Sequence, residues 1–201
     1  MLIQLEESQL IFVDYSTQQL KSALHTEHIA RTAETLAKVA KLLQVPIWGV
    51  EQGTTEGLGM YSALKDSCQK VLSKTSFDAC EHGLPDLLKG PAKNSQQGNA
   101  RSLPKHLQKQ EVSVEKMTVL LAGYETHISV LQTALSLVEQ EFDVCLVTDA
   151  CGAAHQNNHD AALDRLAGAG VELVTLEMVV FEWLGSSLHP SFDGVMKLLN
   201  R

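Results

Sequence analysis

Residues 117–137, MTVLLAGYETHISVLQTALSL, constrain the fold and chemistry of this chain more than any other segment. Residues 117–122 form a short apolar run, which is typical of a strand buried on both faces. Gly123 ends that run, and residues 129–138 carry apolar side chains at helical spacing. We therefore predict a strand, a turn and a helix, with Ser129 where the turn meets the helix.

A serine at such a junction suits acyl-transfer chemistry. Backbone N–H groups converge at the start of a helix, and the helix dipole favours negative charge there. The Ser129 hydroxyl could attack a carbonyl at this point, and the N–H groups could hold the resulting oxyanion. Serine is also a good helix N-cap, so the residues alone leave both roles open for Ser129.

The rest of the chain alternates strand-like and helix-like segments. Strands are predicted at residues 10–13, 46–50, 70–73, 117–122, 142–148 and 171–176, and helices at residues 23–43, 129–138, 160–167, 177–184 and 190–200. This alternation predicts an α/β fold of the three-layer α/β/α type, with a six-stranded, mainly parallel sheet.

The length of 201 residues fits a single domain that spans residues 1–201. Residues 89–110 are polar, contain two prolines and two glycines, and show no periodicity. We predict that this segment is a long exposed loop.

Polar side chains mark the ends of three predicted strands. Asp14 and Lys74 each follow a strand, and the turn before Ser129 follows another. Ligand sites in parallel sheets lie beyond the carboxyl ends of the strands, so we group these three residues as one candidate site. Taken singly, Asp14 could only cap a turn and Lys74 could be an ordinary surface lysine.

Charge and composition exclude several classes of partner. A net charge of −8 and a pI near 5.4 argue against binding to a nucleic-acid backbone, which needs a basic patch. The four cysteines form no C-x-x-C pair, and no apolar run is long enough to span a bilayer. The first residues, MLIQLEESQL, lack the pattern of a secretory signal. We therefore expect a cytoplasmic protein that acts without a membrane or a metal.

Several separated motifs carry a resemblance to a known family. They are FVD at residues 12–14, VLSKTSF at 71–77, GYETHISVLQTA at 123–134 and VTDA at 147–150. Their joint order and spacing resemble the isochorismatase-like cysteine hydrolases, which include nicotinamidases. Four further segments resemble a subgroup that holds eukaryotic isochorismatase-domain proteins and uncharacterised bacterial hydrolases. They are EQ at 51–52, GLG at 57–59 and the segments 177–184 and 189–192.

The resemblance implies a hydrolase that acts on a C–N (amide) or ester bond of a small molecule and needs no cofactor. Asp14, Lys74 and Ser129 take the positions of the catalytic triad, and the backbone N–H groups of Glu125 and Ser129 take those of the oxyanion hole. A cis peptide bond between Tyr124 and Glu125 is also implied, as is a homo-oligomer, a dimer or larger. The metal-binding Asp-x-His pattern of nicotinamidases is absent from the segment where the resemblance would place it.

The chain departs from the family at the nucleophile, because the family has cysteine where this chain has Ser129. A thiol, with a pKa near 8.5, becomes a thiolate beside one cation, but a serine hydroxyl needs a general base. That base would be Asp14 or a neutral Lys74. We expect slow action on unactivated amides, or action on reactive esters alone. The alternative is a catalytically silent member that keeps the pocket as a binding or assembly protein.

Further candidates for the pocket are Gln52, Phe77, Cys80 and His127. Cys80 follows Lys74 by six residues, on a helix predicted to begin near Phe77. It could replace the missing thiol and make the chain a Cys80-dependent enzyme, or it could be a buried structural cysteine. His127 lies within the turn as a candidate base or as a simple turn residue.

Overall fold

The computed structural model describes residues 2–16, 26–53, 59–89 and 117–200. The strands are β1 (Ser8–Val13), β2 (Ile47–Gln52), β3 (Lys70–Lys74), β4 (Thr118–Gly123), β5 (Asp143–Val147) and β6 (Glu172–Val174). The α-helices are α1 (Thr26–Leu42), α2 (Ser62–Lys65), α3 (Leu84–Lys89), α4 (Leu131–Glu139), α5 (Gln156–Gly168), α6 (Leu176–Leu184) and α7 (Phe192–Leu198). Short 3₁₀ turns lie at Cys80–His82 and Thr148–Ala150, and a π-helical turn lies at Thr126–Val130.

The six strands form one parallel sheet in the order β3-β2-β1-β4-β5-β6. The chain winds outward from β1 to β3 and then returns to place β4 on the other side of β1. In such a sheet, the crevice at the carboxyl ends of the two strands where the order reverses is the usual ligand site. Here those strands are β1 and β4, with Val13 opposite Gly123.

Helices cover the sheet in two groups. Helix α1 contacts α2, α6 and α7, whereas α4 contacts α5 and the 3₁₀ turn Cys80–His82. Every residue of β1 and β4 is buried, which explains why residues 10–13 and 119–122 are unbroken apolar runs rather than alternating ones. The predicted three-layer α/β/α fold with a six-stranded parallel sheet is confirmed.

Several predicted boundaries need correction. Helix α5 begins at Gln156 rather than at residue 160, because its first turn is polar and carries no apolar spacing. Helix α7 begins at Phe192, so Pro190 precedes the helix instead of lying in its first turn. Strand β6 is shorter than the predicted 171–176. Of the predicted exposed loop at 89–110, Lys89 ends α3 and residues 90–110 lie outside the described residues, as do residues 23–25 of the first predicted helix.

No helix in the described part of the chain is long and apolar enough to cross a membrane.

Gly123 lets the turn after β4 approach the end of β1. A Cβ placed on Gly123 would lie 2.5 Å from Val130 Cγ2 and 2.6 Å from the carbonyl oxygen of Val13. The Val13 carbonyl also accepts a hydrogen bond from the Tyr124 N–H, so it cannot move away freely. The close packing of β4, the π-helical turn and β1 therefore requires glycine at this position.

We predict that Gly123→Ala lowers the free energy of unfolding by about 2 kcal/mol or more, because overpacking against fixed backbone is costly. Gly168→Ala is the matched control, since no atom lies within 4 Å of its added Cβ. At this helical position alanine should be neutral or should stabilise by roughly 0.5 kcal/mol. Urea unfolding of both variants measures the difference. Equal stability of the two variants would contradict the packing described for Gly123.

Candidate active site

Three chain segments converge on one buried ammonium group. Lys74 is the last residue of β3, Asp14 follows β1, and Ser129 lies in the π-helical turn after β4. Lys74 Nζ is 2.9 Å from Asp14 Oδ2 and 3.2 Å from Ser129 Oγ. The structure thus brings the three candidate triad side chains within hydrogen-bonding distance of a single nitrogen.

The Lys74 side chain is fully buried, and its protons all have acceptors. An ammonium group has three N–H donors and no acceptor. Lys74 Nζ contacts Asp14 Oδ2, Ser129 Oγ and, at 2.9 Å, Gln52 Oε1. These three oxygens match the three donors, so the geometry fits a protonated lysine. A buried charge is stable only when it is paired and hydrogen-bonded in this way.

The backbone at Asp14 turns sharply so that its carboxylate faces Lys74. Its φ of 53° is in the left-handed region, which aspartate tolerates better than most residues. The Asp14 N–H donates to the Val50 carbonyl, and the Asp14 carbonyl accepts from the Ser16 N–H. Oδ2 is held by Lys74, while Oδ1 is buried and has no hydrogen-bond partner among the described residues. One carboxylate oxygen is therefore available to a ligand or a proton.

Ser129 lies inside the π-helical turn and not at the start of α4. The residue at the N-cap position of α4 is Val130, and no side chain caps that helix. The turn is fixed at its start, where the Thr126 N–H and hydroxyl both donate to the Gly152 carbonyl, at 3.0 and 2.9 Å. Ser129 is only 3% exposed, and its hydroxyl oxygen accepts from Lys74. The N-cap interpretation of Ser129 is therefore wrong.

The peptide bond between Tyr124 and Glu125 differs from the expectation. None of the described peptide bonds is cis, so the cis bond implied by the resemblance is wrong for this structure. Glu125 has a φ of 58°, and this left-handed residue turns the chain into the π-helical turn. Within the described backbone, the Glu125 N–H donates no hydrogen bond. It remains a candidate donor for an oxyanion.

The His127 side chain turns away from the site. Its Nδ1 lies 3.4 Å from Glu125 Oε2, and its Nε2 lies 3.3 Å from the Asn158 side-chain amide. Glu125 Oε1 also accepts from the Ala154 N–H at 3.3 Å. These contacts link the turn to α5 and to the residues just before it, and none of them involves Asp14, Lys74 or Ser129. His127 therefore fits a turn residue and does not fit a base for Ser129.

Cys80 lies in the 3₁₀ turn and its thiol faces α4. Its Sγ is 3.8 Å from the Thr133 carbonyl oxygen, and its N–H donates to Asp78 Oδ1. Burial and the neighbouring Asp78 carboxylate raise the pKa of the Cys80 thiol far above its ordinary value. A thiol in this environment stays protonated at neutral pH, so Cys80 fits a structural cysteine.

The remaining three cysteines are structural as well, and Phe77 lies at the surface. Burial raises the thiol pKa to about 11 for Cys68 and to about 12 for Cys145 and Cys151. No thiol in the described part of the chain therefore has thiolate character near neutral pH. The Phe77 side chain is 54% exposed, so it is not part of the core.

Tyr15 is a supporting residue to which the sequence assigned no role. Its phenol is fully buried and donates to the carbonyl oxygen of Ala150, which joins the segment after β1 to the turn after β5. Burial raises the Tyr15 pKa well above its usual value, so the phenol remains a donor. The tyrosine follows Asp14 directly, but its partner is 135 positions away, and hydrophobic spacing carries no signal for such a contact.

The described residues contain no cluster of three or more His, Cys, Asp or Glu side chains that could hold a metal ion. The metal-free and cofactor-free reaction stays a prediction.

Comparison with known proteins identifies the family. Residues 8–178 match the family model described as the isochorismatase domain. The chain belongs to the isochorismatase family. The mouse isochorismatase domain-containing protein 2A is 30% identical over 197 residues, covering 97% of this chain and 84% of the relative. The bovine isochorismatase domain-containing protein 2 is 29% identical over 193 residues, covering 96% and 83%.

Solved structures support the isochorismatase fold. A structure described as the MAR1 ribonuclease of Caenorhabditis elegans aligns with a TM-score of 0.82 at 24% identity, covering 100% of this chain and 93% of that one. The YcaC gene product of Escherichia coli, described as an octameric hydrolase of unknown specificity, aligns with a TM-score of 0.77 at 20% identity, covering 98% and 88%. At these identities the likeness establishes the fold alone.

We predict that Asp14→Ala lowers the free energy of unfolding by about 3 to 5 kcal/mol, because it leaves the buried Lys74 ammonium without its counter-ion. Lys65→Met is the control: it removes an exposed ion pair, with 3.3 Å between Lys65 Nζ and Glu51 Oε2. That variant should change stability by less than about 1 kcal/mol. Urea unfolding at neutral pH compares the two, and a loss for Asp14→Ala as small as that of the control would argue against a buried charged pair.

Proposed function

We propose that this isochorismatase-family protein is a hydrolase that attacks an amide or ester bond of a small molecule with Ser129 Oγ. Family membership supports a hydrolase-type function. The observation that carries the finer proposal is the contact of one buried ammonium with both Asp14 and Ser129. A cation in this position stabilises negative charge as it develops on the attacking oxygen.

The proton from Ser129 travels through Lys74. Among the described contacts, Ser129 Oγ has no direct hydrogen bond to Asp14, and both bond to Lys74 Nζ. As Oγ bonds to the carbonyl carbon, Lys74 gives one proton to Asp14 Oδ2 and takes the hydroxyl proton. The carbonyl π electrons move to the oxygen, and the Glu125 N–H is the candidate donor to that oxyanion.

Collapse of the tetrahedral intermediate expels the amine or alcohol and leaves an ester of Ser129. The leaving group takes the proton held by Asp14. Water then adds to the ester carbonyl and gives its proton back to Ser129 Oγ, which releases the acid and restores the site. Atoms and charge balance without a redox partner, so the proposal includes no cofactor and no metal.

The serine makes this a slow enzyme that prefers reactive esters. A cation alone can turn a thiol into a thiolate, but a serine hydroxyl is far less acidic and must lose its proton during attack. Among the described contacts, Asp14 reaches Ser129 only through Lys74. The burial of Lys74 and Ser129 favours small acyl groups as substrates.

The partners and location stay proposals as well. We propose homo-oligomers, supported by the fold neighbour that is described as octameric. The net charge of −8 supports the absence of a nucleic-acid substrate. A single-domain, cytoplasmic enzyme acting on a metabolite-sized molecule is consistent with these features.

Replacement of Ser129 tests the nucleophile. With p-nitrophenyl acetate and a primary amide as substrates, we expect wild-type turnover of the ester and a loss of at least about 100-fold in kcat/KM for Ser129→Ala. Ser129→Cys should exceed the wild type on both substrates, because a thiolate forms beside Lys74. Ser67→Ala is the control, since the described contact of its hydroxyl is a bond to the Ala63 carbonyl, away from Lys74.

Two outcomes would contradict the proposal. If wild type and Ser129→Ala are equally inert and Ser129→Cys gains activity, the native protein is a catalytically silent binding or assembly protein with an intact pocket. If Cys80→Ala abolishes native turnover while Ser129→Ala does not, the nucleophile is Cys80.

A further inference from the structure

Gln52 contacts the Lys74 ammonium through a side-chain amide whose orientation is fixed by its two hydrogen-bond partners. Gln52 is the last residue of β2 and lies opposite Lys74 in the parallel register. Its Oε1 accepts from Lys74 Nζ at 2.9 Å, and its Nε2 donates to the Thr75 carbonyl at 2.9 Å. A flipped amide would set N–H against ammonium and oxygen against carbonyl, so the two partners fix the orientation.

This orientation has a consequence for Lys74. A neutral amine needs a donor for its lone pair, and Gln52 offers only an oxygen. The neighbouring backbone is equally fixed, because the Gly53 N–H donates to the Lys74 carbonyl at 2.9 Å. A Cβ at Gly53 would lie 1.9 Å from Ser73 Oγ, so the ends of β2 and β3 are tightly packed. Gln52 therefore presents a rigid, uncharged acceptor to the ammonium.

We propose that Gln52 is a positioning residue that keeps Lys74 protonated and aimed at Ser129 without adding a competing negative charge. A carboxylate at this position would also accept from Lys74, but it would place a second anion beside the one from Asp14. That second anion would oppose negative charge on the nucleophile. An apolar side chain would leave one ammonium proton without its acceptor. The inference rests on the proposed function, because it concerns how the ammonium acts on residue 129.

The test uses a thiol as a reporter of charge at position 129. In Ser129→Cys, thiolate absorbance near 240 nm is followed against pH, with the wild-type titration subtracted to remove the native cysteines. We expect a midpoint at least about one unit below the ordinary thiol value near 8.5. Adding Gln52→Met should raise that midpoint by about one unit, and Gln52→Glu should raise it further.

Gln9 supplies a matched control. Its amide is also fixed at both ends: Oε1 accepts from Trp48 Nε1 at 2.9 Å, and Nε2 donates to the Leu88 carbonyl at 3.1 Å. Gln9 is buried, whereas Gln52 is half-buried. It lies in β1 and its amide does not contact Lys74. Gln9→Met in the Ser129→Cys background should lower stability while leaving the thiolate midpoint unchanged. A purely structural role for Gln52 would give the same pattern.

The outcomes separate this inference from the proposed function. If the thiolate midpoint of Ser129→Cys is lowered but shifts by less than about 0.3 pH units when either Gln52 substitution is added, the role of Gln52 alone is overturned. An ordinary midpoint in Ser129→Cys itself would overturn the ammonium effect on which both proposals stand. If Gln52→Met does not fold, Gln52→Glu decides the matter, because it keeps an oxygen that can accept from Lys74.

Discussion

The buried ammonium of Lys74 is the constraint around which the carboxyl edge of the sheet is built. An unpaired charge removed from water would cost far more than a marginally stable protein can lose. The three oxygens that satisfy it come from the end of β1, the end of β2 and the turn after β4. These segments must therefore meet at one point, and that point is the nucleophile site that we propose.

The topology places that meeting point at the reversal of strand order. Strands β1 and β4 are neighbours with Val13 opposite Gly123, so the residues that follow them leave the sheet together. The segment after each strand contains a residue in the left-handed conformation: Asp14 after β1 and Glu125 after β4. The π-helical turn then carries Ser129 back over the end of β1, toward Lys74. Extra turns of this kind are common at functional sites, because they redirect a side chain without breaking the helix that follows.

Much of this arrangement follows from the sequence. The apolar runs predicted the buried strands, and the polar residues after them predicted that Asp14, Lys74 and Ser129 share one edge. The resemblance to the isochorismatase-like hydrolases pointed to the same three residues. The contact between Gln52 and Lys74 could not be predicted, because it depends on strand register and on an amide orientation that Lys74 and Thr75 fix together. The π-helical turn and the trans peptide before Glu125 likewise leave no trace in hydrophobic spacing.

In the proposed reaction, serine in place of the cysteine that the resemblance implies changes the task of the ammonium. With a thiol it would need only to favour the ionised form, whereas with a hydroxyl it must also carry a proton toward Asp14. The Lys74 side chain therefore has to be protonated at rest and has to transfer a proton during the attack. Because of this dual demand, we predict a slow enzyme with a preference for good leaving groups.

The most direct test of the account is the protonation state of Lys74 in the wild-type protein. In a ¹H–¹⁵N spectrum of lysine-labelled protein, we expect one ammonium signal with slow proton exchange at neutral pH, and we expect Lys74→Met to remove it. A neutral-amine signal for Lys74, or the absence of any exchange-protected ammonium signal, would contradict the account.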